Sequence, residues 1–204
     1  MIRRSDNLEA AAEAAAFLCN HPGAVLLVPT ETVYGLICKA DDAEARERIY
    51  RMKQRDSAKL LGCFIADLSQ LTTLKPDDNV RMLVRKYCPG AVTIVAANQD
   101  GSTVGFRIPD HPFLQELLKK ADCVLAQTSA NASGRPNALT VDAALAELAE
   151  MPDMVIDAGA IPADAQASTV VDASGGVLRI LRQGKLVITE ATSSTTAPQT
   201  PPQR

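Results

Sequence analysis

Hydroxyl and amide side chains follow two apolar runs of this sequence, where they could bind a small polar ligand. Pro29–Thr32 follows the strand-like run Ala24–Val28, and Thr128–Gly134 follows the run Cys123–Ala126. Small residues let a ligand approach the backbone, while Ser, Thr and Asn offer it neutral donors and acceptors. A tight turn or a helix-capping loop has a similar composition, so each segment leaves both interpretations open.

Cationic side chains form a second set of candidates. Lys53, Arg55 and Lys59 follow a predicted helix, whereas Arg107 ends one strand-like run and Arg182 follows another. Arg grips phosphate oxygens with two parallel hydrogen bonds and Lys acts as a point charge, so these residues could clamp a triphosphate. In the alternative interpretation, they are a solvated basic helix end that complements the helix dipole, together with surface arginines.

Standard signatures of catalytic and nucleotide sites are missing from the sequence. It contains neither G-x-x-x-x-G-K-[ST] nor G-x-G-x-x-G, and neither H-E-x-x-H nor G-x-S-x-G. P-loop, dinucleotide-binding, metalloprotease and serine-hydrolase interpretations therefore have no support. The five cysteines are widely spaced without a C-x-x-C pair, which argues against a disulfide framework and a zinc site and for a reducing compartment.

Composition places the chain among soluble globular proteins. Its 204 residues are 47% hydrophobic and 22% charged, with a formal net charge of −3, which is enough for one domain with a sizeable core. No apolar run is long enough to cross a membrane, and the N-terminal stretch lacks a secretory apolar segment. We therefore expect a cytoplasmic protein that binds no membrane.

Helical and strand-like segments alternate along the chain, and they include one hairpin turn at Asn98–Gly101. This pattern predicts an α/β domain with a mixed sheet, not a purely parallel one, over residues 1–190. Residues 191–204 are rich in Thr, Ser, Pro and Gln, a composition that predicts a disordered polar C-terminal tail.

The order and spelling of six short blocks are distinctive. They are VPTETVYGL from Val28, K-x-R from Lys53, R-x-P-x-H from Arg107, S-A-N-x-S-G from Ser129, S-T-V-V-D from Ser168 and R-x-G from Arg182. Together, from about Asn7 to about Ile188, they resemble the YrdC/TsaC family of threonylcarbamoyl-AMP synthases in its single-domain form. The resemblance implies a twisted, open, mixed β-sheet with flanking helices and a concave ligand-binding face.

The same resemblance implies roles for individual residues. Those expected around L-threonine are Thr30, Tyr34, Arg107, Ser129 and Ser168. Those expected around ATP are Lys53, Arg55, Ser57, Asn131 and Arg182, with Lys53 and Arg55 as the catalytic pair. The chain also departs from the family pattern, because Asp56 and Leu60 stand where prolines are usual. Asp56 adds a negative charge beside the expected phosphate clamp.

The activity implied by the resemblance is that of a nucleotidyltransferase in tRNA processing. L-threonine, bicarbonate or CO2 and ATP would give L-threonylcarbamoyladenylate and pyrophosphate. Mg²⁺ would accompany ATP, with no metal ligand expected from the protein. Such chemistry needs positioning and charge stabilisation, not a strong base.

The implied partners are a downstream tRNA threonylcarbamoyl transferase complex and weakly bound tRNA. Two alternatives remain at this point. One is a paralogue of the same fold that acts on another carbamoyl or aminoacyl substrate. The other is a noncatalytic RNA-binding module, which the net negative charge and the low aromatic content of 3% disfavour.

Overall fold

We describe a computed structural model of the chain over residues 1–190, together with the backbone of residues 192–193. The tail predicted for residues 191–204 lies outside the described residues, except for that backbone pair. No helix in the described part is both long enough and apolar enough to span a membrane.

Helices and strands alternate along the described chain. The helices are α1 (Leu8–Asn20), α2 (Ala43–Met52), α3 (Asp78–Tyr87), α4 (Pro112–Ala121) and α5 (Val141–Glu147), with a short 3-10 helix at Leu68–Gln70. The strands are β1 (Ile2–Ser5), β2 (Leu26–Val28), β3 (Gly35–Lys39), β4 (Gly62–Phe64), β5 (Val92–Ala97), β6 (Thr103–Arg107), β7 (Leu125–Ser129), β8 (Met154–Asp157), β9 (Thr169–Asp172), β10 (Arg179–Arg182) and β11 (Thr192–Ser193).

Side-chain caps fix where four of the helices begin. The side-chain oxygens of Asn7, Asp42, Asp77 and Thr140 each accept a backbone N–H three residues further along the chain. Such caps satisfy amide groups that have no partner inside the first helical turn. Helix α4 begins instead with Pro112, whose missing N–H would have no intrahelical partner at this position.

The strands form one mixed sheet in the order β1-β8-β2-β3-β7-β4-β6-β5-β9-β10-β11. Antiparallel pairs such as β3 with β7 stand beside parallel pairs such as β4 with β6. The predicted turn at Asn98–Gly101 joins the antiparallel strands β5 and β6. The prediction of an α/β domain around a mixed sheet is therefore confirmed.

One face of this sheet is divided into two halves. In the covered half, apolar side chains of β2, β3, β7 and β8 pack against α1 and α4. In the bare half, formed by β4, β5, β6, β9 and β10, the side chains on the same face line an open cavity. Strand alternation makes the assignment clear on β7, where Leu125 joins the apolar cluster and Gln127 lines the cavity.

The opposite face of the sheet is apolar along both halves. One cluster joins residues of β2, β3, β7 and β8 to α2 and α5. Another joins β5, β6, β9 and β10 to α3. The bare half therefore packs against apolar side chains on one face. On its other face, its side chains line the cavity.

Candidate functional site

The bare half of the sheet forms the floor of a cavity of about 430 Å³. Its walls come from the β2–β3 loop, the loop before β4 and the segments that flank β9 and β10. Seven of the ten predicted site residues line this cavity: Thr30, Tyr34, Arg55, Arg107, Ser129, Ser168 and Arg182. The fold thus brings together residues that are more than 150 positions apart in the sequence.

The β2–β3 loop is held in shape by the hydroxyl of Thr30. This hydroxyl donates to the carbonyl oxygen of Val33 at 2.7 Å and accepts the backbone N–H groups of Thr32 at 3.0 Å and of Val33 at 3.1 Å. It also lies 2.8 Å from the hydroxyl of Thr32. The loop is therefore a hydrogen-bonded turn and a wall of the cavity at the same time.

Arg107 carries a buried positive charge at the base of the cavity. Its guanidinium pairs with Oε1 of Glu31 at 2.5 Å and donates to the hydroxyl of Thr32 at 3.1 Å. It also lies over the ring of Phe64, 5.6 Å from the centroid. Only 4% of Arg107 is exposed, so its charge is largely shielded from water and Glu31 is the group that compensates it.

Arg182 is a second cationic group in the lining of the cavity. Its Nη2 donates to the carbonyl oxygen of Ser168 at 2.9 Å and to the Ser168 hydroxyl at 3.2 Å. The same hydroxyl lies 2.8 Å from the hydroxyl of Thr93 on β5. Reduced solvation and the nearby Arg107 cation lower the pKa of Arg182. An anionic ligand between Arg182 and Arg107 would relieve the repulsion between them.

Arg55 organises the loop that precedes β4. Its Nε donates to the carbonyl oxygen of Lys59 at 3.2 Å, and its Nη2 donates to that of Leu60 at 3.2 Å. Asp56 accepts the backbone N–H of Ala58 at 2.9 Å and is exposed. Asp56 therefore shapes the turn through a side-chain hydrogen bond, where a proline would act through its ring. Leu60 is 72% exposed at the cavity rim.

Lys53 does not line the cavity, although it precedes Arg55 by only two positions. Its ammonium is buried behind β7, where it donates to the carbonyl oxygens of Ser129 and Asn131. Burial, with a smaller contribution from the Arg55 cation, lowers the pKa of Lys53 to about 8. The contacts assign Lys53 to the support of the Ser129–Asn131 segment.

Two further predicted residues lie away from the cavity lining. Asn131 is buried, and its Nδ2 donates to the carbonyl oxygens of Ala132 at 3.0 Å and Arg135 at 2.7 Å. Its Oδ1 has no hydrogen-bond partner among the described residues. Ser57 is exposed on the loop after Arg55. Both residues border the walls, and neither faces the cavity in this arrangement.

Tyr34 ties the β2–β3 segment to the chain after β8. Its hydroxyl donates to the carbonyl oxygen of Gly159 at 2.7 Å and accepts the N–H of Ala158 at 3.0 Å. Burial raises the pKa of Tyr34, so the phenol remains protonated and keeps both bonds at neutral pH. Tyr34 thus shapes the wall beside Thr30.

The motif analysis missed several residues of the cavity. Thr93 and Gln127 line the cavity. Glu31 forms an ion pair with Arg107 from outside the lining and neutralises its charge. Gln127 stands two residues before Ser129 on β7, so the two-residue period of a strand would have placed it on the same face. The ion pair of Glu31 had no such signal, because its partner lies 76 positions away.

The charged side chains that line the cavity are all cationic. Arg55, Arg107 and Arg182 line the cavity, and no carboxylate of the described residues belongs to its lining. Among the described residues, no group of three or more His, Cys, Asp or Glu side chains is placed to hold a metal ion. The arrangement suits an anionic ligand that also carries hydroxyl or amide groups.

Comparisons with known proteins agree with this geometry. A family model for Sua5/YciO/YrdC proteins, described as "Telomere recombination", matches residues 20–184 of the chain. The threonylcarbamoyl-AMP synthase of Homo sapiens is 37% identical over 180 residues, which cover 79% of this chain and 63% of that protein. The threonylcarbamoyl-AMP synthase of Bacillus subtilis is 31% identical over 185 residues, which cover 85% of this chain and 53% of that protein. The chain thus spans less than two thirds of the length of these relatives.

Solved structures share the fold. The crystal structure of P. abyssi Sua5 complexed with L-threonine matches with a TM-score of 0.80 at 28% identity, over 94% of this chain and 61% of that one. E. coli YciO matches with a TM-score of 0.76 at 24% identity, over 90% of this chain and 93% of that one, which bears on the fold alone. The predicted twisted, mixed sheet with flanking helices and a concave face is confirmed.

Proposed function

This chain belongs to the Sua5/YciO/YrdC family, and we propose that it makes L-threonylcarbamoyladenylate and pyrophosphate from L-threonine, bicarbonate or CO2 and ATP. The observation that carries the proposal is the cavity lined by Arg55, Arg107 and Arg182 beside serine and threonine hydroxyls, with no lining carboxylate among residues 1–190. A triphosphate and an amino-acid carboxylate are both anions that such a cavity would hold. Relatives named threonylcarbamoyl-AMP synthase support this choice.

The proposed chemistry makes modest demands on side chains. The threonine amine takes up carbon dioxide to give a carbamate, and a carbamate oxygen then attacks the α-phosphorus of ATP. The bond from that phosphorus to the bridging oxygen breaks, and pyrophosphate leaves with the electron pair. Fixed positive charge around the phosphoryl group stabilises the transition state. Arginine guanidinium groups supply that charge without a proton transfer.

L-threonine is assigned to the end of the cavity formed by Thr30, Tyr34, Arg107, Ser129 and Ser168. The hydroxyls of Ser168 and Thr93 hydrogen-bond each other there, and together with the Arg107 cation they match an amino acid that carries a carboxylate and a hydroxyl group. The P. abyssi structure with L-threonine supports the same ligand here. Glu31 keeps Arg107 in place from outside the cavity lining.

ATP is assigned to the remainder of the cavity, with Arg55 and Arg182 on its phosphates. In this proposal Lys53 and Asn131 act from behind the wall, since they hold the Ser129–Asn131 segment. Lys53 would contact a phosphate directly only after it released the carbonyl oxygens of Ser129 and Asn131. Ser57 would join the phosphates only through movement of its exposed loop.

Mg²⁺ enters the proposal with ATP and not as a resident cofactor. In the part of the chain that the structure describes, the lining offers hydroxyls and no carboxylate, a set of groups that does not form a protein cage for a hard cation. Bound to ATP, Mg²⁺ neutralises part of the phosphate charge. The residues of the chain then act on the complex through Arg55 and Arg182.

The product would pass to an enzyme complex that modifies tRNA in the cytoplasm. A carbamoyl adenylate is a mixed anhydride that reacts with water. Direct transfer to a partner would shorten its exposure to solvent. Weak binding of tRNA to this chain is a secondary part of the proposal.

Pyrophosphate release tests the proposed function. The purified chain is mixed with ATP, Mg²⁺ and bicarbonate, and release is measured with L-threonine, L-serine, glycine or no amino acid. We expect release that depends on L-threonine and on bicarbonate. Release with a different amino acid would point to a paralogue on the same fold. No release from a folded chain, together with retention of RNA in a filter assay, would favour a binding module.

A further inference from the structure

The side chain of Thr93 has a defined orientation on the cavity-facing side of β5. Its neighbours Val92 and Ile94 join the apolar cluster behind the sheet, and Thr93 lines the cavity. The methyl group of Thr93 lies against Gly105 of β6, 3.9 Å from the point that a Cβ atom on Gly105 would occupy. Its hydroxyl lies 2.8 Å from the hydroxyl of Ser168. Contacts on both branches favour a single rotamer of this β-branched side chain.

The hydroxyl of Ser168 lies between Thr93 and Arg182. Its oxygen accepts Nη2 of Arg182 at 3.2 Å, and the Ser168 carbonyl oxygen accepts Nε at 3.2 Å and Nη2 at 2.9 Å. The chain after β10 packs closely on this backbone, because a Cβ atom on Gly184 would lie 2.6 Å from the same carbonyl oxygen. Arg182 and Gly184 therefore fix the backbone of Ser168. The rotamer of its unbranched side chain depends on the two hydroxyl contacts, with Thr93 and with Arg182.

This pair of hydroxyl groups retains one hydrogen for a ligand. A hydroxyl group donates one hydrogen and has two lone pairs, whereas an arginine can only donate. Arg182 therefore occupies a lone pair of the Ser168 oxygen. The bond between the two hydroxyls uses one of their hydrogens, whichever residue donates it. The other hydrogen has no acceptor among the described residues, and both side chains line the cavity.

We propose that Thr93 is a positioning residue for the amino-acid substrate and acts through Ser168. By holding the Ser168 oxygen, Thr93 keeps the remaining hydroxyl hydrogen directed at a carboxylate oxygen of the bound amino acid. The inference rests on the proposed function, because it takes the L-threonine of that reaction as the ligand. A phosphate oxygen of ATP is the competing acceptor. The carboxylate is favoured because Nη1 of Arg182, which has no partner among the described residues, remains available for a phosphate.

Two conservative substitutions separate the hydroxyl of Thr93 from its methyl group. Thr93→Val keeps the shape and removes the hydroxyl, so the KM for L-threonine in pyrophosphate release should rise by about 10-fold, the scale of one hydrogen bond. The kcat and the KM for ATP should change by less than about twofold, because the lost interaction is one of substrate binding. Thr93→Ser keeps the hydroxyl and should preserve the KM of the unaltered chain. Thr72→Val, at an exposed position outside the cavity lining, is the matched control.

A double-mutant cycle tests whether Thr93 acts through Ser168. In a Ser168→Ala background, Thr93→Val should change the KM for L-threonine by less than about twofold, because the group that Thr93 holds is already absent. A further rise of about 10-fold in that background would mean that Thr93 acts without Ser168, and it would overturn the inference.

Other outcomes would also overturn the inference. They are an unchanged KM for L-threonine in Thr93→Val, an equal rise in the KM for ATP, and a larger loss in Thr93→Ser than in Thr93→Val. The last result would mean that the methyl group, by its packing, is the part of Thr93 that matters. If circular dichroism shows that Thr93→Val does not fold, Thr93→Ala compared with Thr93→Ser gives the same answer. If the unaltered chain releases no pyrophosphate with L-threonine, the proposed function fails, and this inference fails with it.

Discussion

The covered and bare halves of one sheet face use the same backbone for opposite purposes. On β2 and β3 the inward positions are Leu26, Val28 and Ile37, which pack against α1 and α4. On β4 and β6 the matching positions include Gly62, Gly105 and Arg107, and they line a cavity. The covered half gains stability from apolar burial. The bare half instead holds polar groups in place through hydrogen bonds, which leaves room for a ligand.

This contrast separates stability from activity. A substitution in the covered half should change the free energy of unfolding and leave the chemistry intact. A substitution in the bare half should do the reverse. The following predictions test this separation, from the largest expected effect to the smallest.

Leu117→Ala in α4 probes the covered half. Leu117 is fully buried, so the cavity that it would leave should lower the free energy of unfolding by about 2–5 kcal/mol. Urea denaturation measures this change. Leu181→Ala, on the bare half and 54% exposed, is the control and should have little effect. A folded Leu117→Ala protein with normal stability would contradict the assignment of the core.

Arg182→Ala probes the bare half. Removal of a preorganised cation from the reacting anion should lower the rate of pyrophosphate release by about 100- to 1000-fold. The free energy of unfolding should change much less, because Arg182 lies at the rim and is exposed. Arg179→Ala, an exposed position on the same strand, is the matched control. Equal activities of the two variants would remove Arg182 from the site.

Lys53, which lies behind the cavity wall, should make the free energy of unfolding depend on pH. Its pKa in the folded protein is about 8, below that of an exposed lysine, so the unfolded chain binds more protons between about pH 8 and pH 10.4. This group therefore destabilises the fold below pH 8, and that cost disappears as pH rises through the window. We expect the stability of the unaltered chain, relative to Lys53→Met, to rise from pH 7 to pH 10. A constant difference in urea denaturation would contradict the lowered pKa.

Asp56→Asn should have the smallest effect. The side-chain oxygen of asparagine can still accept the N–H of Ala58, so the turn keeps its shape while the negative charge is removed. Because Asp56 is exposed, solvent screens its charge from the nucleotide. The KM for ATP should change by no more than about twofold at physiological salt. A larger decrease would mean that Asp56 repels the phosphates.

Sequence reasoning went furthest where local patterns and the resemblance acted together. Thr30 and Ser129 follow or end apolar runs, Ser168 directly precedes one, and all three line the cavity. The hairpin at Asn98–Gly101 was recognisable from its turn residues. Strand β1 had no comparable signal, because three of its four residues are exposed at the edge region of the sheet. It is stabilised by parallel pairing with β8, about 150 residues later.

Motif membership did not decide which side chains reach the cavity. Lys53 and Arg55 belong to one K-x-R block, yet Arg55 lines the cavity and Lys53 points to carbonyl oxygens behind the wall. Gln127 belongs to no motif and lies on the floor. The local chain direction after α2, with Gln54 at a positive φ of 48°, separates the two cations.

By itself, the sequence determined the alternation of helices and strands, the mixed sheet and seven residues of the cavity lining, because these depend on local periodicity, turn chemistry and motif order. The tertiary structure alone decided which half of the sheet face remains bare and which groups are paired there. Arg107 meets Glu31 and Arg182 meets Ser168 only after distant strands pair. Contacts of that kind depend on the three-dimensional register of the whole sheet, which no local pattern contains.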